Sequence, residues 1–440
     1  MHAGDHDASI ASARVRASRP VSMTPFPSRS VALVLLVGLA AMVLWQGIIP
    51  ALSRIDTDFP NYLTAAKIVA ERGDTDRLYD DRWFQAQSVR YGMSPQAKFT
   101  PFPPPTALLL LPLAGLEPLT ALRVLTLVSV ACLILSAFFL ARTLQWSVLE
   151  SSVFMLLAGH AILNDLRFGQ AYILVATACI LGYYAYLKGR PWLAGICLGL
   201  FLPIKYYPVI LLACLALRKE WKILLSAAIT CLAVLLVSIG VLGWPVHETF
   251  LLSVLGNHLS AHMFTPMSAT YQSFDTLLAR LFVLDPIANP HPWFPSPALR
   301  QLGVPLTKLA LMLMAAAAVV RLARADSAAA VAPSIGILGI LALLIAPGTA
   351  TYHFVLLWLP VGLLVRDQWN RQAQLPAYLI LAAYALIGFL PYKLTAYFEG
   401  RGAWTLLAYP RLGLLLVMFI TAIYVVFAPT PARIRESTPR

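Results

Sequence analysis

Long apolar runs separated by short polar breaks dominate this chain. Val31–Ile49, Leu119–Ala141 and Leu406–Phe427 are each long enough to cross a hydrocarbon core of about 30 Å as a helix. Similar runs fill most of the remaining length, and only two polar stretches are extended: Ala51–Leu116 and Trp244–Pro305. Cytoplasmic loops retain Lys and Arg, so the positions of the basic clusters orient the runs. The segment before the first run carries Arg14, Arg16, Arg19 and Arg29, and later clusters fall at Lys188/Arg190, Arg218/Lys219/Lys222, Arg321/Arg324, Arg366/Arg371 and Arg433/Arg435/Arg440. Placing all of them on one side predicts about twelve membrane helices with both termini cytoplasmic, and puts both long loops on the opposite, extracytoplasmic face. The expected organisation is a disordered tail over residues 1–30, one transmembrane domain over 31–427 and a second tail over 428–440. The long loops fall at 51–116 and 244–305.

One run resists a straight helix. Pro191–Leu217 lies between two basic clusters and is interrupted by Pro203-Ile204-Lys205-Tyr206-Tyr207-Pro208. Proline breaks helices, and backbone freed at membrane depth is tolerated only inside protein or a wet cavity. Two short helices meeting at the break are predicted.

Composition narrows the class further. The 440 residues are 59% hydrophobic and 12% charged, about half the charge typical of soluble domains. A net charge of +13 then reads as topology, because no separate basic domain remains to bind nucleic acid. Cys132, Cys179, Cys197, Cys214 and Cys231 all sit in apolar runs without CxxC spacing, which argues against disulfides and zinc. Basic residues in the first long loop are balanced by Asp56, Asp58, Glu71, Asp74, Asp76, Asp80 and Asp81, and long loops translocate largely regardless of charge.

Candidate chemistry gathers on the extracytoplasmic side. Asp58 directly follows the first span, and Tyr62, Ala65, Ala66 and Val69 recur after it at helical spacing, predicting a short interfacial helix. A carboxylate there suits a general base, or a helix N-cap. Asp56-Thr57-Asp58 also matches the Asp-x-Asp pattern of metal-holding sugar enzymes, a three-residue match that chance supplies often. Phe99–Pro105 is expected to be stiff and extended, as the wall of a lipid-chain groove or as a connector. Lys205 is a charge at membrane depth, where a phosphate, an ion pair or snorkelling would satisfy it. Pro347-Gly348 disrupts a helix ahead of His353, and a helix start of that kind attracts anions. Arg167, Gln170 and Gln272 are candidates for reading sugar hydroxyls, or turn and capping residues.

Together these motifs resemble glycosyltransferase family 87, membrane mannosyltransferases of the GT-C fold that use polyprenyl-phosphate-mannose. The resemblance rests on Asp58-x-x-x-Tyr62, Leu78-Tyr79-Asp80, Pro101-Phe102-Pro103-Pro104, Gly169-Gln170, Ala194-Gly195 and Lys205-x-x-Pro208. Gln272-Ser273-Phe274 with Arg280 and the Pro347…Tyr352-His353 turn continue it, although Tyr271 stands where the family has Asn. It implies a GT-C-like all-α bundle in the inner membrane and inverting transfer of a hexose to a lipid or glycan acceptor. Asp58 would be the base, Lys205, His353 and Arg167 would hold the donor phosphate, and Tyr62, Gln170 and Gln272 would contact substrate. No cofactor is expected, since a single lipid phosphate needs a metal less than a nucleotide diphosphate does; Asp56/Asp58 is the exception to watch. Arabinofuranose or glucose would fit the same fold. The alternative is a lipid-linked-sugar flippase or transporter, which the broken helices suit.

Overall fold

The computed structural model describes residues 25, 26, 28–259, 268–325 and 330–428. Most of the expected N-terminal tail, the C-terminal tail beyond residue 428 and part of the second long loop lie outside the described residues. Among the described residues the chain is helical, with a single isolated bridge between Asp285 and Asn289.

The leading helix, α1 (Arg29–Ser53), carries a π-helical turn at Leu44–Ile48. The first loop then folds into α2 (Phe59–Ala70) and α3 (Asp81–Arg90). Next come α4 (Pro118–Leu144), α5 (Val148–Leu156), α6 (His160–Phe168) and α7 (Tyr172–Leu187). After α8 (Pro191–Phe201), α9 (Val209–Leu217) and α10 (Trp221–Leu242), the second loop carries α11 (Phe274–Phe282). The chain finishes with α12 (Pro297–Ala325), α13 (Val331–Ile345), α14 (Trp358–Asn370), α15 (Gln374–Phe389) and α16 (Pro410–Phe427).

Among the described residues, five helices are long and apolar enough to cross a membrane: α1, α4, α10, α12 and α16. The bent pair α6–α7, turned by 117°, makes a sixth if counted as one broken span. The protein is a multi-pass membrane protein; beside the expected twelve or so membrane helices stand these full-length ones and the shorter apolar helices Pro104–Leu113, Pro191–Phe201, Val331–Ile345 and Gln374–Phe389. Glycines with positive φ shape this stretch: Gly159 (φ +49°) separates α5 from α6, and Gly169, in left-handed backbone (φ +62°), separates α6 from α7. The second loop also ends earlier than expected, because α12 begins at Pro297 and carries Pro305 inside it.

The predicted break between α8 and α9 is present. The α8 helix packs face to face against α10 through small residues. A Cβ built on Gly195 would lie 2.4 Å from that of Ser226, and one on Gly199 would lie 2.4 Å from the Ala227 carbonyl. Small residues at four-residue spacing let helix backbones approach where lipid provides no hydrophobic drive. Ser226 Oγ donates to the Trp192 carbonyl (2.8 Å), which fastens the pair.

The first loop is a compact cap. Nine of the 12 residues of α2 are buried, so this helix is packed on both faces. Phe59, Tyr62, Leu63 and Ala66 join Leu110, Leu122 and Leu125 on one side. Ala65, Ile68 and Val69 join Leu78, Phe84, Phe99 and Val246 on the other. The proline-rich segment is folded: Pro104–Leu108 and Leu111–Leu113 form 3-10 turns. Proline's fixed φ of about −65° suits the first turn of such a helix as readily as an extended chain.

Candidate active site

Asp58 stands at the N-cap of α2, yet its side chain makes no capping bond. The local sequence explains this. A capping carboxylate accepts from the N–H of N2 or N3. Here N2 is Pro60, which has no N–H, and the Asn61 N–H is taken by the Asp58 carbonyl at 3.0 Å. The carboxylate is left for a distant partner.

That partner comes from the α6–α7 hinge. Gln170 Nε2 donates to Asp58 Oδ2 (2.7 Å), and Tyr62 Oη donates to Gln170 Oε1 (2.6 Å). Asp58, Gln170 and Tyr62 thus form one chain of bonds. Gly169 permits it by combining left-handed backbone with a Cα pressed on Phe59, where an added Cβ would lie 2.8 Å from the Phe59 Cβ. Burial pushes the Asp58 carboxyl above its usual value; the Gln170 bond, the Lys205 charge and the Thr57 side chain pull it back. A half-buried carboxylate with a neutral amide partner is a stronger proton acceptor than a solvated one.

Lys205, in the α8–α9 break, donates from Nζ to Tyr172 Oη (3.3 Å). Its ammonium lies over the rings of Tyr172 (4.5 Å), Phe102 (4.7 Å) and Tyr62 (5.7 Å). His353 reaches the same phenolic oxygen through Nε2 (2.7 Å). The Ala350 N–H donates to His353 Nδ1 (2.9 Å), which assigns the neutral ring's proton to Nε2. Tyr172 Oη therefore accepts from both Lys205 and His353, and its own proton is left to point at a third acceptor. Tyr352 stacks on Tyr172 with centroids 5.4 Å apart.

Asp58, Tyr62, Gln170, Lys205 and His353 are thus brought together from four separate stretches of chain. The remaining two candidates have other engagements. Arg167 Nη2 pairs with Asp56 Oδ2 at 3.4 Å, so the Asp56 of the Asp-x-Asp pattern faces a guanidinium. Among the described residues no group of three or more His, Cys, Asp or Glu side chains is arranged to hold a metal ion. Gln272 is fully buried, and its amide is spent on the fold. Nε2 donates to the carbonyls of Ala269 (2.6 Å) and Ala408 (3.1 Å), and Oε1 accepts from the Arg411 N–H (3.1 Å). Its neighbour Tyr271 is closer to the chemistry: burial and then the Asp58 charge push that phenol up.

Two residues central to this geometry carry no role in the sequence reading. Tyr172 is the first residue of α7 and joins Lys205 to His353. Asp165 is buried on α6, and its Oδ2 accepts the Tyr172 N–H at 3.1 Å, setting the start of α7. The available signal was an Asp on an apolar run four residues before a glycine, with Tyr three residues after that glycine. The polar residues 164–167 lie within α6, which continues to Phe168, so the chain turns only over residues 169–171.

A family model described as glycosyltransferase family 87 matches residues 99–347, more than half of the chain. The match contains the α6–α7 hinge, Tyr172 and Lys205; Asp58 and Tyr62 precede it, and His353 lies just beyond. None of the curated proteins matches the chain.

Proposed function

Since the chain belongs to glycosyltransferase family 87, we propose that this membrane glycosyltransferase takes a hexose, mannose first among candidates, from a polyprenyl-phosphate donor. The sugar passes to a hydroxyl of a lipid or glycan acceptor with inversion. Asp58 removes the acceptor proton as the hydroxyl oxygen attacks the anomeric carbon. The bond from that carbon to the phosphate oxygen breaks, and polyprenyl phosphate leaves as an anion. Lys205 and His353 carry the new negative charge, with the Tyr172 hydroxyl supplying a third donor. Arg167 assists through the Asp56 pair at the edge of the site. Preorganised donors aimed at developing charge are commonly the largest catalytic contribution. We place the protein in the inner membrane with both long loops and this site on the extracytoplasmic side, as the basic clusters suggest.

The observation that carries this reading is the convergence of Lys205 and His353 on Tyr172 Oη, beside a carboxylate that its own helix cannot cap. A proton acceptor and an anion cradle side by side suit group transfer from a phosphate. Membership in a glycosyltransferase family gives no support to the flippase alternative. The test is Asp58→Asn in purified protein supplied with labelled polyprenyl-phosphate-mannose and a membrane glycolipid extract. Loss of a general base lowers turnover about 10²–10⁴-fold. Turnover within threefold of wild type would remove Asp58 from the base role.

A further inference from the structure

An open cleft of about 360 Å³, reaching Asp58's chain neighbour Thr57, is lined by Ile55, Asp56, Thr57, Gly92, Met93 and Ser94. This is at the lower end of the range for small-ligand clefts, about 300–1,000 Å³. One wall is the connector between α1 and α2, and the other is the turn after α3. That turn is fixed by Ser88 Oγ donating to the Ser94 carbonyl (2.8 Å) and by the Met93 N–H donating to the Ser88 carbonyl (2.9 Å). Gly92 has φ +74°, and a Cβ there would meet nothing within 4 Å, which leaves this side open.

We propose that this cleft seats the acceptor's sugar ring, a neutral polyol that presents its reacting hydroxyl to Asp58. This rests on the transferase reading above and adds the acceptor's chemical class and binding place. The lining combines a carboxylate and two hydroxyls with the apolar side chains of Ile55 and Met93, as a sugar's polar edge and apolar face require. It contains no Lys or Arg, so a phosphate or other anion has no counter-charge there. The Asp56 carboxylate is held still by the Thr57 N–H (3.0 Å) on one oxygen and by Arg167 (3.4 Å) on the other. Thr57 links cleft to base, because it lines the cleft and its side chain hydrogen-bonds Asp58.

The test uses the full-length protein in lipid nanodiscs with labelled polyprenyl-phosphate-mannose as donor. Methyl α-mannoside and octyl α-mannoside serve as acceptor probes. The readout is the partition of donor sugar between water and the glycoside. In Ser94→Trp, the indole occupies the cleft, and the share reaching either glycoside falls at least tenfold relative to the share reaching water. A partition within twofold of wild type overturns the assignment. So does a fall confined to the octyl glycoside, which would place the alkyl chain there instead of the ring. Should Ser94→Trp fail to fold, Ser94→Cys with a membrane-impermeant maleimide gives an independent reading. Saturating methyl mannoside slows its labelling severalfold but not that of Arg82→Cys, and equal labelling overturns the proposal. Wild-type protein that consumes no donor, by transfer or hydrolysis, instead overturns the transferase reading itself.

Discussion

Gly169→Ala isolates the contact that holds Asp58, the proposed base. Gly169 has φ +62°, and a Cβ added there would sit 2.8 Å from the Phe59 Cβ and Cδ2, against an ordinary contact of 3.4 Å or more. Two costs follow. Left-handed backbone costs an L-residue about 1–2 kcal/mol wherever it occurs. The overlap adds a displacement of about 0.6 Å between the hinge and the first residue of α2, which adjoins Asp58. Misplacing a reacting group by about 1 Å costs on the order of 10²-fold in rate, so this shift predicts a loss of about tenfold in kcat. Gly189→Ala is the control: φ is +65°, and a Cβ there meets nothing within 4 Å. It carries the backbone cost alone. Both variants are expected to melt a few degrees lower in detergent, while only Gly169→Ala loses turnover of labelled donor. Equal turnover in the two, with comparable loss of melting temperature, would refute the claim that the Phe59–Gly169 contact positions Asp58.

Two further outcomes follow from the same geometry. Gln170→Leu removes the hydrogen bond that favours the ionised Asp58, so the carboxyl rises further above its usual value. A base works when deprotonated, so the acid limb of the pH profile of kcat/KM moves to higher pH; a limb at the wild-type pH would show that another group titrates. Gly195→Ala places a Cβ 2.4 Å from that of Ser226 and 2.5 Å from the Ile223 carbonyl, whereas Gly240→Ala on the same helix pair meets nothing within 4 Å. Overpacking of this kind costs about 1–3 kcal/mol. Thermal denaturation should rank Gly195→Ala clearly below Gly240→Ala, and equal melting would mean that α8 and α10 separate more readily than their packing implies.

The break at Pro203–Pro208 was legible because proline and a charged side chain inside an apolar run leave few ways to continue a helix. The number of spans was not. Apolar composition reports burial or lipid contact and says nothing about direction. The course of the chain from α5 to α7 is decided by two glycines whose positive φ is invisible to hydropathy. Asp58 is intermediate. Asp before a helix is a favoured cap, but Pro60 at N2 removes one of the two donors a cap would use, and that could have been weighed from the sequence. Its real partner, Gln170, is more than a hundred residues away and depends on a 117° turn between α6 and α7. Gln272 shows the reverse case: a polar residue in the second long loop is a candidate for reading sugar hydroxyls or for a turn or cap, yet three backbone groups consume its amide.

The way the charges are distributed carries the mechanistic argument furthest. A carboxylate bonded directly to Lys205 would be held ionised and would be a weak proton acceptor, while the ammonium would be neutralised before any phosphate arrived. Here a neutral amide holds Asp58, and Lys205 is bonded to a phenol and surrounded by three aromatic rings. The Lys205 charge still pulls the Asp58 carboxyl down, but burial outweighs it. In the proposed mechanism, Asp58 thus keeps an elevated affinity for a proton as base, and Lys205, with no direct ion pair, stays available to a leaving phosphate. In that proposed transfer, negative charge would move from the Asp58 side of the site to the Lys205 side. An arrangement that keeps the two groups close but separately partnered favours that movement, which a direct ion pair would oppose.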